Sequence, residues 1–138
     1  MTYQLDQNAD WNVLPDAVRK GIRESDPGDV RSRDWQTISF ALRDPQGTLV
    51  AGLYGATMWS WLMIDGLWVA PEQRGQGLGR RLLLASEVEA IQRGCIGSWL
   101  GTFDFQAKTF YERHGYSVFA ELSDFPKNHT HFHLRKLF

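Results

Sequence analysis

Runs of β-branched and aromatic residues, several with alternating polar positions, predict strands over much of the chain. They cover residues 3–6, 37–43, 49–56, 59–69, 97–103, 116–122 and 130–137. A polar turn over residues 44–47 separates the second run from the third. The third and fourth runs are close enough in sequence to pair antiparallel. We therefore expect an antiparallel meander in the first half of the chain.

Apolar residues recur at helical spacing in three other segments. The first segment ends before Pro27 and Gly28 and carries one apolar face, formed by Val13, Ala17, Val18 and Ile22. The second predicts a helix over residues 77–93, capped by Gly94, with an apolar face formed by Leu78, Leu82, Ala85, Val88 and Ile91. The third is shorter and spans residues 107–114. Because the second helix joins two strands, we expect strands 59–69 and 97–103 to be parallel.

The length and net charge of the chain limit the classes of protein to which it can belong. A chain of 138 residues predicts one domain over residues 1–138. The formal net charge of -1 offers no cationic field for nucleic acid, so we expect no nucleic-acid partner. Cys95 is the one cysteine, and no apolar run approaches the roughly 20 residues of a membrane span. We therefore expect a cytoplasmic protein without a membrane partner.

The most informative segment is V-x-P-x-x-R-x-x-G-x-G, read from Val69 to Gly79, which joins a predicted strand to a predicted helix. Its glycines allow close backbone approach, and the first N–H groups of a helix lack internal partners and favour anions. A glycine-rich turn without a ligand would also fit the glycine spacing alone. The segment contains neither a Walker loop nor the dinucleotide fingerprint, whose glycine spacings differ.

With this spacing the sequence resembles the GNAT superfamily of acetyl-CoA-dependent N-acetyltransferases. The resemblance extends over about residues 49–119, because Ala107, Phe110, Tyr111, Gly115 and Tyr116 match a second signature, A-x-x-F-Y-x-x-x-G-[FY]. It implies an α/β fold of the α+β type: a mixed, mostly antiparallel central sheet of about 6–7 strands flanked by 3–4 helices. It also implies a parallel, splayed pair of strands at the site of acetyl-CoA, the co-substrate.

The resemblance assigns roles to named residues. Tyr111 is implied to be the general acid that protonates the departing thiolate. The backbone of Leu67, Trp68 and Val69 is implied to bind the pantetheine arm. The remaining implied contacts to the cofactor come from Arg74, Gly75, Gln76, Gly77, Leu78, Gly79, Arg80, Asp104, Ala107 and Tyr111. Asp104 departs from the family pattern, because many relatives carry an asparagine there and an ionised carboxylate cannot donate a hydrogen bond.

The general base is less well defined. Gly66 inside a strand indicates a bulge, which in the family frees the strand for the cofactor. Asp65 shares the strand parity of Leu67 and Val69 unless the bulge shifts it, and could accept the proton of the amine. One of the histidines of the last strand could serve instead. His129, His131 and His133 alternate and could in principle hold zinc, but no cysteine or carboxylate is close in sequence and we expect no metal.

Three functions are consistent with these features. The main hypothesis is an acyltransferase that moves an acetyl group from acetyl-CoA to a primary amine of a small molecule or peptide by direct attack on the thioester. The second is a non-catalytic acyl-CoA-binding sensor, and the third is a zinc protein. A homodimer is possible, since an exposed final strand would permit it.

Overall fold

The computed structural model describes residues 1–30 and 33–138. The chain divides into two compact units, residues 1–33 and 34–138, so one domain over residues 1–138 stays a prediction. The first unit contains helix α1, Leu14–Ser25, which confirms the first predicted helix. The predicted strand over residues 3–6 is wrong: the segment is not a strand, and no described strand pairs with it. A four-residue segment without a partner strand has no ladder of hydrogen bonds to hold it extended.

The second unit is built on one mixed sheet of six strands in the order β1-β2-β3-β4-β6-β5. The strands are β1 (Gln36–Arg43), β2 (Leu49–Met58), β3 (Trp61–Val69), β4 (Gly97–Phe103), β5 (Ser117–Ser123) and β6 (Thr130–Leu137). Its helices are α2 (Leu78–Gln92) and α3 (Lys108–Arg113), with a 3-10 turn at Pro71–Gln73. The last strand lies between β4 and β5, so the edge strands of the sheet are β1 and β5, and the final strand is not the exposed edge that the sequence indicated.

Strands β1, β2 and β3 form the predicted antiparallel meander. The connection between β2 and β3 lies two residues later than predicted, because β2 extends to Met58 and Trp59 and Ser60 lie in the turn and not in the strand. Both have positive φ, 50° and 67°, as a two-residue hairpin of the primed type requires. Glycine and asparagine are the usual residues there, so a Trp-Ser pair does not indicate a turn.

Helix α2 carries the chain from β3 to β4, and these two strands are parallel, as predicted. The face it buries is formed by Leu82, Leu83, Ser86, Glu87 and Ala90. Val88 and Ile91, which were predicted to share this face, are instead more than half exposed. Glu87 takes part in the buried face because Lys136 Nζ lies 2.8 Å from its Oε1. Apolar periodicity alone could not indicate a buried carboxylate.

The core lies on one face of the sheet, here called the inner face, where Leu62, Leu100 and Leu134 are fully buried neighbours. Leu83 of α2 and Tyr111 of α3 belong to the same cluster. The opposite face, the outer face, carries the alternate residues, including Trp99, Phe103, His131 and His133. The six strands, mostly antiparallel, and three α-helices confirm the predicted fold class. Among the described residues, no helix is both long and apolar enough to span a membrane.

Candidate functional site

The sheet opens between β3 and β4. The two strands pair from Trp61 with Gly97 to Ile64 with Leu100, and their later residues do not pair with each other. At the same point the register between β2 and β3 shifts: Gly55 pairs with Ile64 and Tyr54 with Gly66, which leaves Asp65 as the extra residue of a bulge. The predicted bulge and the splayed parallel pair are therefore both present.

The bulge changes which residues share a face. Leu53 pairs with Leu67 and Gly55 with Ile64, so Ile64, and not Asp65, continues the face of Leu67. The parity that the sequence assigned to Asp65 is therefore wrong for this strand. Asp65 nevertheless lines the cavity between β3 and β4, and the residue is exposed.

The edge of β3 supplies backbone groups to the opening. The N–H group of Ala70 donates to Val50 O of β2 at 2.8 Å. Because successive residues of a strand point their backbone groups to opposite sides, Val69 and Leu67 point theirs away from β2 and toward the opening. Arg74 Nε donates to Val69 O at 3.1 Å, which agrees with this direction. Trp68 also lines the cavity, but the same alternation directs its N–H group toward β2.

The amino end of α2 lies next to this opening. Gly75 and Gly77 have φ of 78° and 77°, a backbone region that other residues rarely adopt, and no atom within 4 Å would touch a Cβ at either position. No side chain caps the helix, so the N–H groups of its first turn, Leu78, Gly79 and Arg80, lack a capping partner. This end carries the equivalent of about half a positive charge. It is a suitable place for a phosphate.

Gly79 has a packing role that the sequence did not predict. A Cβ at this position would lie 3.4 Å from Phe110 Cζ and 3.6 Å from Val69 Cγ2. The glycine therefore lets the first turn of α2 lie close to β3 and α3. Gln76 Nε2 lies 3.2 Å from Gln73 Oε1, and Leu78 packs against the core.

The opening continues into a cavity of about 580 Å³. Of the residues that the sequence assigned to the site, the structure brings eight together in its wall: Asp65, Leu67, Trp68, Val69, Arg74, Gly79, Ala107 and Tyr111. Gly75, Gln76, Gly77, Leu78 and Arg80 are outside the wall, in the turn that leads into α2 and its first residues. Arg74 reaches the cavity, whereas Arg80 is exposed on the helix.

Tyr111 is the buried titratable group of this cavity. It belongs to α3, is 6% exposed and packs edge-on against Phe110, with ring centroids 5.1 Å apart. Burial raises its pKa to about 12. The hydroxyl is therefore protonated throughout the neutral range and can donate a hydrogen bond or a proton to a group in the cavity.

Asp104 lies at the end of β4 and outside the cavity wall. Its Oδ1 lies 2.8 Å from His129 Nδ1, and its Oδ2 accepts the N–H group of Thr130 at 2.9 Å. Partial desolvation raises the pKa of this carboxyl, but the hydrogen bonds from Thr130 and His129 outweigh it and hold the pKa below its usual value. The carboxylate thus joins β4 to β6. Its predicted contact with the cofactor stays a prediction.

Gln106 is a residue of the cavity that sequence reasoning missed. Its Oε1 accepts hydrogen bonds from Phe103 N at 3.0 Å and from Thr102 Oγ1 at 3.2 Å, so the side chain terminates β4. The other wall residues, to which the sequence assigned no contact, are Ile64, Gly66, Leu100, Gly101, Thr102, Phe105 and Phe110. Of these, Gly66 had marked the bulge and Phe110 belongs to the second signature. Phe105 and Gln106 could have been indicated only by their position after a strand and before the second signature.

His129, which precedes β6, and His131 and His133 of β6 do not assemble with other metal-binding side chains. In the described part of the chain, no three histidine, cysteine or acidic residues are placed to hold a metal ion. His129 pairs with Asp104, while His131 and His133 lie ring to ring at 4.8 Å on the outer face.

Comparison with known proteins gives a consistent picture. A sequence model of the acetyltransferase (GNAT) family matches residues 6–116. Blasticidin-S acetyltransferase of Streptomyces morookaense is 46% identical over 86 residues, 62% of this chain and 63% of that protein. An acetyltransferase of Agrobacterium fabrum is 34% identical over 89 residues, 64% of this chain and 65% of that protein. The match therefore spans less than two thirds of the length of either curated relative.

A solved structure agrees over the full chain. The crystal structure of an acetyltransferase from Bacillus cereus superposes with a TM-score of 0.84 at 26% identity, covering 100% of this chain and 98% of the other. The family match covers most of the sequence, and the splayed strands and the glycine turn are where that family's signature predicts them. The chain belongs to the acetyltransferase (GNAT) family of acyltransferase enzymes, which use acetyl-CoA.

Proposed function

We propose that this chain is an N-acetyltransferase that moves the acetyl group of acetyl-CoA to a primary amine of a small molecule or peptide. The observation that carries the proposal is the opening between β3 and β4, which joins the uncapped end of α2 to a cavity containing the Tyr111 side chain. A ligand with a diphosphate at one end and a thioester at the other fits this arrangement. The single-domain prediction for residues 1–138 is part of the proposal.

The cavity suits the cofactor in three respects. The free N–H groups of residues 75–80 and the guanidinium of Arg74 are donors for the diphosphate. The backbone of Leu67 and Val69 offers a strand edge to the amides of the pantetheine arm. The volume of about 580 Å³ is sufficient for the arm and the thioester. Trp68, Ala107 and Asp104 stay predicted contacts.

The available nucleophiles favour direct attack by the amine. Cys95 is the one cysteine of the sequence, and it is buried outside the cavity wall, where burial raises the pKa of its thiol. Thr102 lines the cavity, but its hydroxyl donates to Gln106. An acyl-enzyme intermediate therefore has no activated side chain to form on. The amine adds to the carbonyl carbon of the thioester, and the C–S bond breaks as the tetrahedral intermediate collapses.

Tyr111 is the proton donor in this reaction. The leaving thiolate takes the proton of the Tyr111 hydroxyl, which solvent then restores. Because burial raises the pKa of Tyr111 to about 12, the donor stays almost entirely protonated throughout the neutral and mildly basic range. We therefore expect no loss of activity from its ionisation between pH 7 and about pH 10. Asp65, in the same wall, is a candidate base for the proton of the amine.

The relatives indicate which amine to test first, but they do not identify the acceptor of this chain. Blasticidin S is the first compound to test, because a relative 46% identical over 86 residues carries its name. Other amines of the panel are polyamines, amino acids and lysine peptides. The lone cysteine also fits a reducing compartment, and we place the activity in the cytoplasm. The exposed edge strand β5 would permit a homodimer.

The test measures thiol release from acetyl-CoA across this panel, with mass detection of the acetylated product. We expect turnover with at least one amine, and we expect Tyr111→Phe to lower kcat by about 100-fold while CoA binding is unchanged. Tyr116→Phe is the matched control, since Tyr116 is also buried but lies outside the cavity wall. Binding of CoA without turnover on any amine would instead favour a sensor.

A further inference from the structure

We propose that His131 is the general base of this site, and that the acceptor amine approaches over the outer face of the sheet. The inference rests on the proposed function, because it names the proton acceptor for the same reaction. The backbone of β4 lies between this histidine and the cavity.

The position of His131 relative to Gly101 carries the argument. A Cβ at Gly101 would lie 2.8 Å from both Cε1 and Nε2 of His131, so this edge of the imidazole rests directly on the glycine backbone. Gly101 is the first residue of β4 after its pairing with β3 ends, and it lines the cavity. His131 is not itself a residue of the cavity wall, but its Nε2 lies against Gly101, which is.

Aromatic packing holds the ring of His131 in this place. Its centroid lies 4.4 Å from that of Phe103, 4.8 Å from that of His133 and 5.8 Å from that of Phe125. Phe103 in turn stacks on Phe105, which lines the cavity, at 5.1 Å. The imidazole is thus packed on several sides, while its nitrogen edge faces the glycine.

The surroundings keep the imidazole neutral and able to accept a proton. Burial, with a contribution from His133, lowers the pKa of His131 below its ordinary value of 6.5. Of the charged residues, Arg135 lies on the same face of β6, and Asp65 lines the same cavity as Gly101. From β5 the cross-strand neighbour is Leu122, and Asp104 is bound to His129 and Thr130. At pH 7 the neutral form therefore predominates.

The two neighbouring histidines are less suitable. His129 precedes β6, and its Nδ1 lies 2.8 Å from Asp104 Oδ1, so a carboxylate already engages it. His133 contacts Trp99 and Phe119 and approaches Gly101 through Cδ2, at 3.2 Å from the Cβ position. The Nε2 atom of His131 lies closer to the Cβ position of Gly101 than the Cδ2 atom of His133 does.

The proton balance is complete with the groups named. The ammonium form of the acceptor gives one proton to His131 Nε2, and the neutral amine then adds to the thioester carbonyl carbon. As the amide forms, the nitrogen releases its second proton to solvent. When the C–S bond breaks, sulfur takes a proton from Tyr111, whose phenolate regains one from solvent, and protonated His131 returns its proton to solvent. One proton is released to solvent for each acetyl group transferred.

The test compares the pH dependence of kcat/KM for His131→Asn, Asp65→Asn and the unmodified enzyme, using an amine that the enzyme acetylates in the panel. His131→Asn should lower kcat at pH 7 by about 100-fold or more, with unchanged CoA affinity by calorimetry. The deficit should shrink as pH rises, because a growing fraction of the amine is then neutral without a base. Added imidazole should restore part of the activity. His129→Asn is the control and should keep its activity.

A second variant leaves the histidine intact. Gly101→Ala should displace the imidazole and reproduce the loss at pH 7, with the fold checked by circular dichroism. Full activity and an unchanged pH profile in His131→Asn, or a loss confined to Asp65→Asn, would overturn the inference. Absence of turnover by the unmodified enzyme on every amine, despite CoA binding, would instead overturn the proposed function, and the inference with it.

Discussion

Lys136 and Glu87 illustrate how a single buried charge is accommodated in this fold. The Nζ atom of Lys136 lies 2.8 Å from Oε1 and 3.0 Å from Oε2 of Glu87, whose side chain is only 6% exposed. The Tyr116 hydroxyl lies 3.4 Å from the same carboxylate. This contact joins α2 to β6 across the core. A buried carboxylate is stable only while its partners remain.

Removing the cation should therefore destabilise the protein strongly. Lys136→Met keeps the length of the side chain but leaves the Glu87 carboxylate without its ion pair. We expect the free energy of unfolding to fall by about 3 kcal/mol, measured by urea denaturation at pH 7.

The double variant Glu87→Gln/Lys136→Met provides the control, because it removes both charges together. It should recover most of the loss. An unfolding free energy for Lys136→Met within about 0.5 kcal/mol of the unmodified protein would show that the pair is not buried as described.

At the scale of elements, the periodicity of apolar residues predicted most strands and helices well. The exceptions are a turn and a bulge, whose residues depend on local backbone conformation and strand pairing. The ranges of β4 and β6 agree with the prediction at both ends. The β2–β3 hairpin was placed correctly, but its turn was missed because Trp59 and Ser60 are not turn residues. The bulge was predicted from Gly66, yet its extra residue, Asp65, could be identified only from the pairing with β2.

The hairpin turn offers a direct test of this account. Ser60 has a φ of 67°, which costs a residue with a Cβ roughly 1 kcal/mol relative to glycine. Ser60→Gly should therefore raise the free energy of unfolding by a few tenths to about 1 kcal/mol, measured by thermal or urea denaturation.

The matched control is Ser39→Gly, in the regular part of β1. The same substitution there should destabilise the protein, because glycine in a strand has more conformational freedom to lose. If both variants were destabilised equally, the positive φ of Ser60 would be contradicted.

At the scale of the whole molecule, the order of strands and helices along the chain determines where the site lies. The parallel crossover from β3 through α2 to β4 brings a helix start, a strand edge and the α3 tyrosine to one opening. The two signatures of the sequence predicted these three parts. They could not predict the wall contributed by Phe105 and Gln106, or the contact of His131 with Gly101, because both depend on how β4 and β6 are registered.

The most direct measurement is calorimetric titration with CoA of the unmodified protein, Gly77→Ala and Gly47→Ala. Gly47 and Gly77 have φ of 83° and 77° and open space around a Cβ, so the two substitutions strain the backbone alike. We predict that CoA binds the unmodified protein with a Kd below about 1 mM, that Gly77→Ala weakens binding at least about tenfold, and that Gly47→Ala does not. No heat with millimolar CoA from folded protein, or equal binding by the two variants, would contradict the proposed cofactor site.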